Sequence, residues 1–558
     1  MPEEIQPPPW PRPAVGAPPA GADCLQGVPL GWGSAAGDLP RQFRDRRSLA
    51  AWLCRELLVE GSEPPPSPGP DSDAGLSPWR GGRQEAERRL VRIDPLRYGR
   101  SRNHLDGAVT ALSPWIRHGV LSLVEVRDAV AHRLAAAGLP QAAGERLMAE
   151  LGWRDYWQRL WRRWGDGIWD DREPFCTGLE ASAYAPLLPD DLAAGRTGLA
   201  CVDAWVAQLH RLGWLHNHVR LWLAAYVVHW RRVRWQAGAR WFLRYLLDGD
   251  PASNNLSWQW VAGCFSSKPY LFNRSNLERF GGGGHCSGCS CFQRGGPDDP
   301  GGCPFASSYE ELQERLFTAP AGGAAVPGAA LGIRPAPHAV VGLAAPEGSG
   351  AITRATPASA VADGHPAAMA PGGGAAAARL AQASGPVVLW IHGEALGPAN
   401  PALRTYPGAP AVFVFDRELL AGRTATTGGA DSGMGAGVAP PQPLALTRLG
   451  FLMECLLELP LTLRHGDVIE ELVGFAQRHG ATRIVTSQAV DPRFERLRAR
   501  LATRLPVEVL ASEPFAPLDD RQPDGASLDL RRFSRYWKRA EPLVWAAAEA
   551  RAQARGNR

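Results

Sequence analysis

Along residues 41–317, large apolar side chains recur at the three- and four-residue spacing of a helix face. Leu112, Trp115 and Ile116 form one set, and Val124, Val126 and Val130 follow Ser122. Val202, Trp205, Val206 and Leu209 form another, and after Gly213 come Leu215, Val219, Trp222, Leu223, Tyr226 and Trp230. The spacing predicts an all-helical domain over 41–317. Beyond residue 387 the period changes. Short apolar runs at Val387–Ile391, Ala411–Phe415, Arg483–Thr486 and Val507–Leu510 alternate with helical stretches at Leu446–Leu459 and Val468–Arg478, each closed by Gly or Pro. This βαβ series predicts an α/β domain with a parallel sheet over 387–558, ending in a helical tail. Residues 318–386 are mostly Ala, Gly and Pro and read as a linker, residues 1–40 as disordered, and Ala421–Pro443 as a flexible insertion. No internal repeat is present.

Composition adds bounds. The 558 residues are 45% hydrophobic with 21 Trp, 62 Gly and 50 Pro, enough for two domains plus unstructured stretches. No apolar run approaches bilayer-spanning length, and Met1 to Pro19 are Pro-rich and acidic rather than basic-then-apolar, so a cytoplasmic protein with no membrane partner is expected. The formal charge of +4 identifies no nucleic-acid partner by itself. Arg159, Arg162 and Arg163, and again Arg231, Arg232 and Arg234, form basic clusters that suit phosphates and solvated helix faces equally. Ten Cys without a secretion signal argue against a disulfide framework, and five of them fall between Cys264 and Cys303, which suggests a metal site.

Candidate chemistry is densest at LLDGDPASNNLSWQW, from Leu246 to Trp260. Asp248, Asp250, Asn254 and Asn255 around Gly249 place acceptors and donors on one turn. In WLHNHVR, from Trp214, Asn217 and Arg220 share a helix face able to present an amide and a guanidinium to a planar heterocycle. The same residues also fit an ordinary capping turn with core tryptophans.

Taken together, AVTALSPWIRHGVLS (from Ala108), ELGWRDYWQRLW (from Glu150), GRTGLACVDAWVAQLHRLGWLHNHVR (from Gly195) and GARWFLRYLLDGDPASNNLSWQW (from Gly238) resemble the flavin-domain motifs of the photolyase and cryptochrome family, in that family's order. The resemblance covers about 90–317 and implies a helical domain holding FAD in a folded conformation. Carried over by position, it assigns Tyr98, Thr110, Leu112, Ser113 and Arg154 to the FAD phosphate and ribitol side. Val109 stands where the family often has Thr. Arg220 and Asp248 become an ion pair beside the flavin, Asp250 the acceptor for its ring N–H, and Asn254 the residue facing N5. Trp258 and Trp235 match electron-relay tryptophans, with Tyr184 about where the outermost member is expected. Glu150 and Trp153 match residues contacting a DNA lesion. Asn217 stands where enzymes repairing the (6-4) lesion usually carry a catalytic His, which favours cyclobutane dimers; Leu221 replaces a common Met.

The stretch SKPYLFNRSNLERF (from Ser267), leading into the cysteine cluster, resembles the bacterial photolyase subgroup with a [4Fe–4S] cluster, which implies Cys201, Cys286, Cys289 and Cys303 as ligands. Cys264 and Cys291 are spare, and zinc or unligated thiols are the alternatives. Residues 387–515 resemble the family's Rossmann-like α/β domain through VVLWIHGEALGPANPAL and AVFVFD, although this domain normally comes first. No antenna chromophore can be assigned. The implied function is a monomeric, light-dependent lyase acting on damaged DNA. The runner-up is a blue-light photoreceptor without repair, and a third reading is a flavin-binding scaffold without photochemistry.

Overall fold

The computed structural model describes residues 25–26, 36–59, 75–282, 284, 286, 288–293, 302–317, 385–423, 442–520 and 527–556. Most of 1–40, nearly all of the 318–386 linker and most of the 421–443 insertion lie outside the described residues. Among the described residues no helix is long and apolar enough to cross a membrane.

The helical part is built around α1 (Arg46–Glu56), α2 (Leu123–Ala136), α3 (Glu145–Trp164), α4 (Ala200–Leu212), α5 (Asn217–Ala225), α6 (Trp235–Tyr245) and α7 (Pro251–Ala262). Local chemistry sets their ends. Ser122 and Glu125 form a reciprocal capping box at the start of α2. The α7 helix starts where the Asp250 carboxylate caps the Ser253 amide, with Pro251 in the first turn. Gly213 ends α4 at φ +64°, in the left-handed region, where a side chain would also meet Leu247 at 2.8 Å. The sharp return it permits puts the Leu247 amide on the Gly213 carbonyl at 2.8 Å, which sets the loop between α6 and α7 against the end of α4.

The second part is a parallel sheet of β1 (Val387–Ile391), β2 (Ala411–Asp416), β3 (Thr462–Gly466), β4 (Arg483–Ser487) and β5 (Val507–Leu510), in the order β3-β2-β1-β4-β5. Leu389 lies opposite Ala411 on one side and Val485 on the other. The interior strand β2, next to the central β1, is buried along its whole length, as expected of a parallel strand covered on both faces. Helices α8 (Leu446–Leu457) and α9 (Val468–Arg478) follow the predicted stretches closely. Strand β3 was not among the predicted runs. Arg464 and His465 interrupt its apolar pattern, and Arg464 is tolerated because Asp38 and Glu471 pair it at 2.8 and 2.9 Å.

The main apolar core is shared between the two parts, combining Leu49, Trp115, Met148 and Leu160 with Phe451, Met453, Leu456 and Tyr536. The α1 helix lies on α8, held by the buried pair Arg46–Glu454 at 2.7 Å. The terminal helix α10 (Phe533–Gly556) packs on α2 and α3. The helices α1 and α10 therefore each pack on the part to which they do not belong in sequence.

Candidate functional site

The loop from Leu246 to Asp250 carries the two predicted carboxylates into a buried position. Asp248 accepts from Arg220 Nη2 at 2.7 Å, while Arg220 Nε holds the Leu215 carbonyl at 2.9 Å, fixing the guanidinium. Among the described residues, Asp248 Oδ1 and Asn255 Nδ2 are buried without a partner. They leave one acceptor and one donor for a polar ligand.

Asp250 is more heavily engaged. Its Oδ1 caps the Ser253 amide at 2.8 Å, and its Oδ2 accepts from Gln158 at 2.7 Å and faces Arg154 at 3.3 Å. Burial raises its carboxyl, but Arg154, Arg117 and the Ser253 amide together hold it below the ordinary value. An ionised carboxylate offers about four acceptor positions, so these three contacts leave room for one further donor. Asn254 spends its amide protons on the Ala239 carbonyl and Asn255 Oδ1, both at 3.1 Å. Its carbonyl oxygen is the end left for a ligand. The arrangement fits the polar edge of a flavin ring: a fixed cation, two anionic acceptors and an amide around one buried loop.

The proposed phosphate side is less complete. Tyr98 is partly buried, with its pKa raised to about 12, chiefly by burial. Thr110 precedes Ala111, whose φ of +50° is a left-handed conformation unusual for a residue with a side chain. Leu112 is buried, and Ser113 opens a five-residue helix and accepts from the Trp214 indole at 3.2 Å. Arg154 is brought to Asp250.

Asn217 is exposed at the start of α5. Glu150 pairs with Arg102. Trp153, expected to offer a bare stacking face, is stacked on Phe533 of α10 at 3.8 Å and 11°. The Trp258 ring lies over α6, 2.3 Å from where a Cβ at Gly238 would stand. One turn away, buried Trp235 donates to Asp171 at 2.6 Å and stacks on Trp169 at 6.5 Å and 12°. Tyr184 instead stacks on Phe175 at 5.1 Å. Nothing in the spacing of Trp169 along the sequence separates it from the other tryptophans.

The cysteines form a second centre. Cys201, Cys286, Cys289, Cys291 and Cys303 line one small recess with Leu199, Arg274, Leu277 and Phe305. Cys289 and Cys291 approach to 2.8 Å. The Cys291 thiol donates to Cys303, which lowers the Cys303 pKa and raises that of Cys291. Among the described residues, no three His, Cys, Asp or Glu side chains are grouped so as to hold a metal ion. Thiols are the donor type that an iron–sulfur cluster takes, but the described cysteines share this recess without being drawn together as a ligand set. Cys264 lies apart, against Asp171 and Gln259.

Residues 147–281 match the family described as the FAD binding domain of DNA photolyase. A deoxyribodipyrimidine photo-lyase of Streptomyces griseus is 36% identical over 216 residues, 37% of this chain and 45% of its own. Another, from Thermus thermophilus, is 32% identical over 256 residues, 42% of this chain and 57% of its own. The chain thus spans about half the length of these relatives. A bacterial class III photolyase structure from Agrobacterium tumefaciens aligns at a TM-score of 0.34 with 24% identity, over 42% of this chain and 54% of that one.

Proposed function

The chain belongs to the photolyase/cryptochrome family, and on that premise we propose that it is a light-dependent DNA repair flavoprotein that splits cyclobutane pyrimidine dimers. The observation carrying this reading is the buried loop bearing Asp248 and Asp250, with Arg220, Arg154 and Asn254 around it and polar atoms left over inside it. Bound FAD, reduced and excited by blue or near-UV light, would supply the electron that splits the dimer. The chain's own residues hold and exclude. Asp248 and Asp250 accept from the ring edge, Arg220 fixes Asp248, and Asn254 presents its carbonyl oxygen. Trp258 and Trp235 form the inner part of a relay whose next ring outward, by stacking, is the partly buried Trp169. Glu150 and Trp153 bind the lesion. The same reading assigns a [4Fe–4S] cluster to Cys201, Cys286, Cys289 and Cys303. It takes the protein as a cytoplasmic monomer acting on damaged DNA, built as a helical domain over 41–317, a linker and an α/β domain over 387–558.

The test is illumination of purified, reduced protein with single- and double-stranded DNA containing dimers. Recovery of intact pyrimidines is the expected result. One observation favours a second reading, a blue-light photoreceptor without repair: Phe533 already covers the face of Trp153 that a flipped base would stack on. Flavin photoreduction without dimer recovery would select that reading.

A further inference from the structure

A helix leaves its last carbonyls without partners inside the helix, and at the end of α6 these groups lead directly into the loop bearing Asp248 and Asp250. The α/β part meets them. Arg448, on α8, donates from Nη1 to the Leu243 carbonyl and from Nη2 to the Gly249 carbonyl, the latter at 3.0 Å. The Ala445 amide donates to the Arg244 carbonyl at 3.0 Å. Two side chains of the helical part extend the joint. Arg117 Nε holds Gly249 O at 2.9 Å while its Nη1 reaches Glu394 at 3.0 Å. His118 lies between Leu247 O at 3.1 Å and Gly393 O at 2.9 Å. The Gly249 backbone packs so closely that a Cβ there would stand 2.8 Å from Arg448 Nη1. A forked guanidinium grips both ends of a short loop at once, whereas an ammonium would hold one.

We propose that Arg448 is a positioning residue of the flavin site, so that docking of the α/β part sets the loop that presents Asp248 and Asp250. The proposal rests on the flavin reading of that loop. Arg448 reaches no ligand itself; it fixes the backbone on either side of the two carboxylates. Burial and Arg117 lower its pKa to about 9, and Asp248 and Asp250 act in the opposite direction.

The experiment compares the full-length protein with Arg448→Leu, Arg448→Lys and a control, Glu458→Ala. Glu458 lies on the same joint, caps the Arg83 and Gln84 amides and touches no part of the loop. Two readouts are taken: amide hydrogen exchange of residues 246–254 in flavin-free protein, and FAD dissociation by titration. Arg448→Leu should speed exchange in 246–254 and weaken FAD roughly tenfold or more, since Leu243 O loses its partner and Gly249 O one of two. Arg448→Lys, which keeps the charge and the fold, should fall between, and Glu458→Ala should leave both readouts near wild type. Wild-type exchange and FAD affinity in Arg448→Lys, or equal losses in Glu458→Ala, would overturn the proposal by reducing Arg448 to ordinary docking. If wild-type protein binds no FAD, the flavin reading fails, while faster exchange confined to Arg448 variants would still establish the positioning role.

Discussion

Asp250 does three jobs at once, and substitution separates them. It caps α7 and balances Arg154, and on the proposed flavin reading it offers a remaining lone pair to the ring. Asp250→Ala removes all three; loss of the cap alone costs about 1 kcal/mol, and loss of a buried acceptor weakens FAD binding by about 1–3 kcal/mol. Asp250→Asn keeps an oxygen for the Ser253 amide but loses the charge facing Arg154, so thermal stability should recover further than FAD affinity. Melting curves and FAD titration on the two variants check this. At the second centre, Cys289→Ser should abolish iron binding in anaerobic preparations, where the wild type should carry about four irons per chain. Zinc without iron in wild-type protein would refute the cluster. His118 provides a pH signature. Burial, with Arg117 and Arg448, lowers its pKa from 6.5 to about 3, so folding favours the neutral ring. Its contribution is present above pH 6.5 and is lost as pH falls from 6.5 towards 3. Stability measured against pH should therefore fall less steeply across that window in His118→Asn than in wild type.

At the scale of elements, two helices depend on glycines where alanine would normally be the better helix former. A Cβ at Gly152 on α3 would stand 2.2 Å from the Trp537 ring of α10, and one at Gly238 on α6 would stand 2.3 Å from Trp258. Gly152→Ala should thus destabilise by about 1–3 kcal/mol, the usual scale for overpacking. Denaturant unfolding decides between that and the small gain expected at an open helix position. The α10 helix also covers Trp153 through Phe533. If lesion stacking competes with that contact, Phe533→Ala should tighten binding of dimer-containing DNA, and Trp153→Ala should weaken it by about 1–3 kcal/mol with flavin content unchanged. Binding isotherms on both variants test the pair. The elements themselves were largely legible. Val387–Ile391 and Val507–Leu510 are strands over the residues that their apolar runs predicted, and α9 spans its predicted Val468–Arg478. Strand β3 was hidden because its buried Arg464 depends on Asp38 and Glu471, partners that no local window contains.

At the scale of the whole molecule, the two parts share one core and one polar joint. The joint includes Arg46–Glu454, Arg117–Glu394, and Arg448 on the Leu243 and Gly249 carbonyls. The order of the parts along the chain is helical first and α/β second, and the shared core is assembled from both. What the sequence determined by itself was local and periodic. Helical spacing, βαβ alternation, the caps at Ser122 and Asp250 and the Asp248–Arg220 pairing all follow from residue types at short, regular intervals or from motifs matched in order. What only the tertiary structure decided joins residues hundreds of positions apart. Trp153 lies under Phe533, Arg448 closes the loop bearing Asp248 and Asp250, Trp169 is the ring next to Trp235, and Cys291 sits in the same recess as the four expected thiols. The physical reason is range: propensity and capping act within one or two turns, whereas ring stacking, carbonyl capping and thiol grouping depend on which surfaces the packed core brings together.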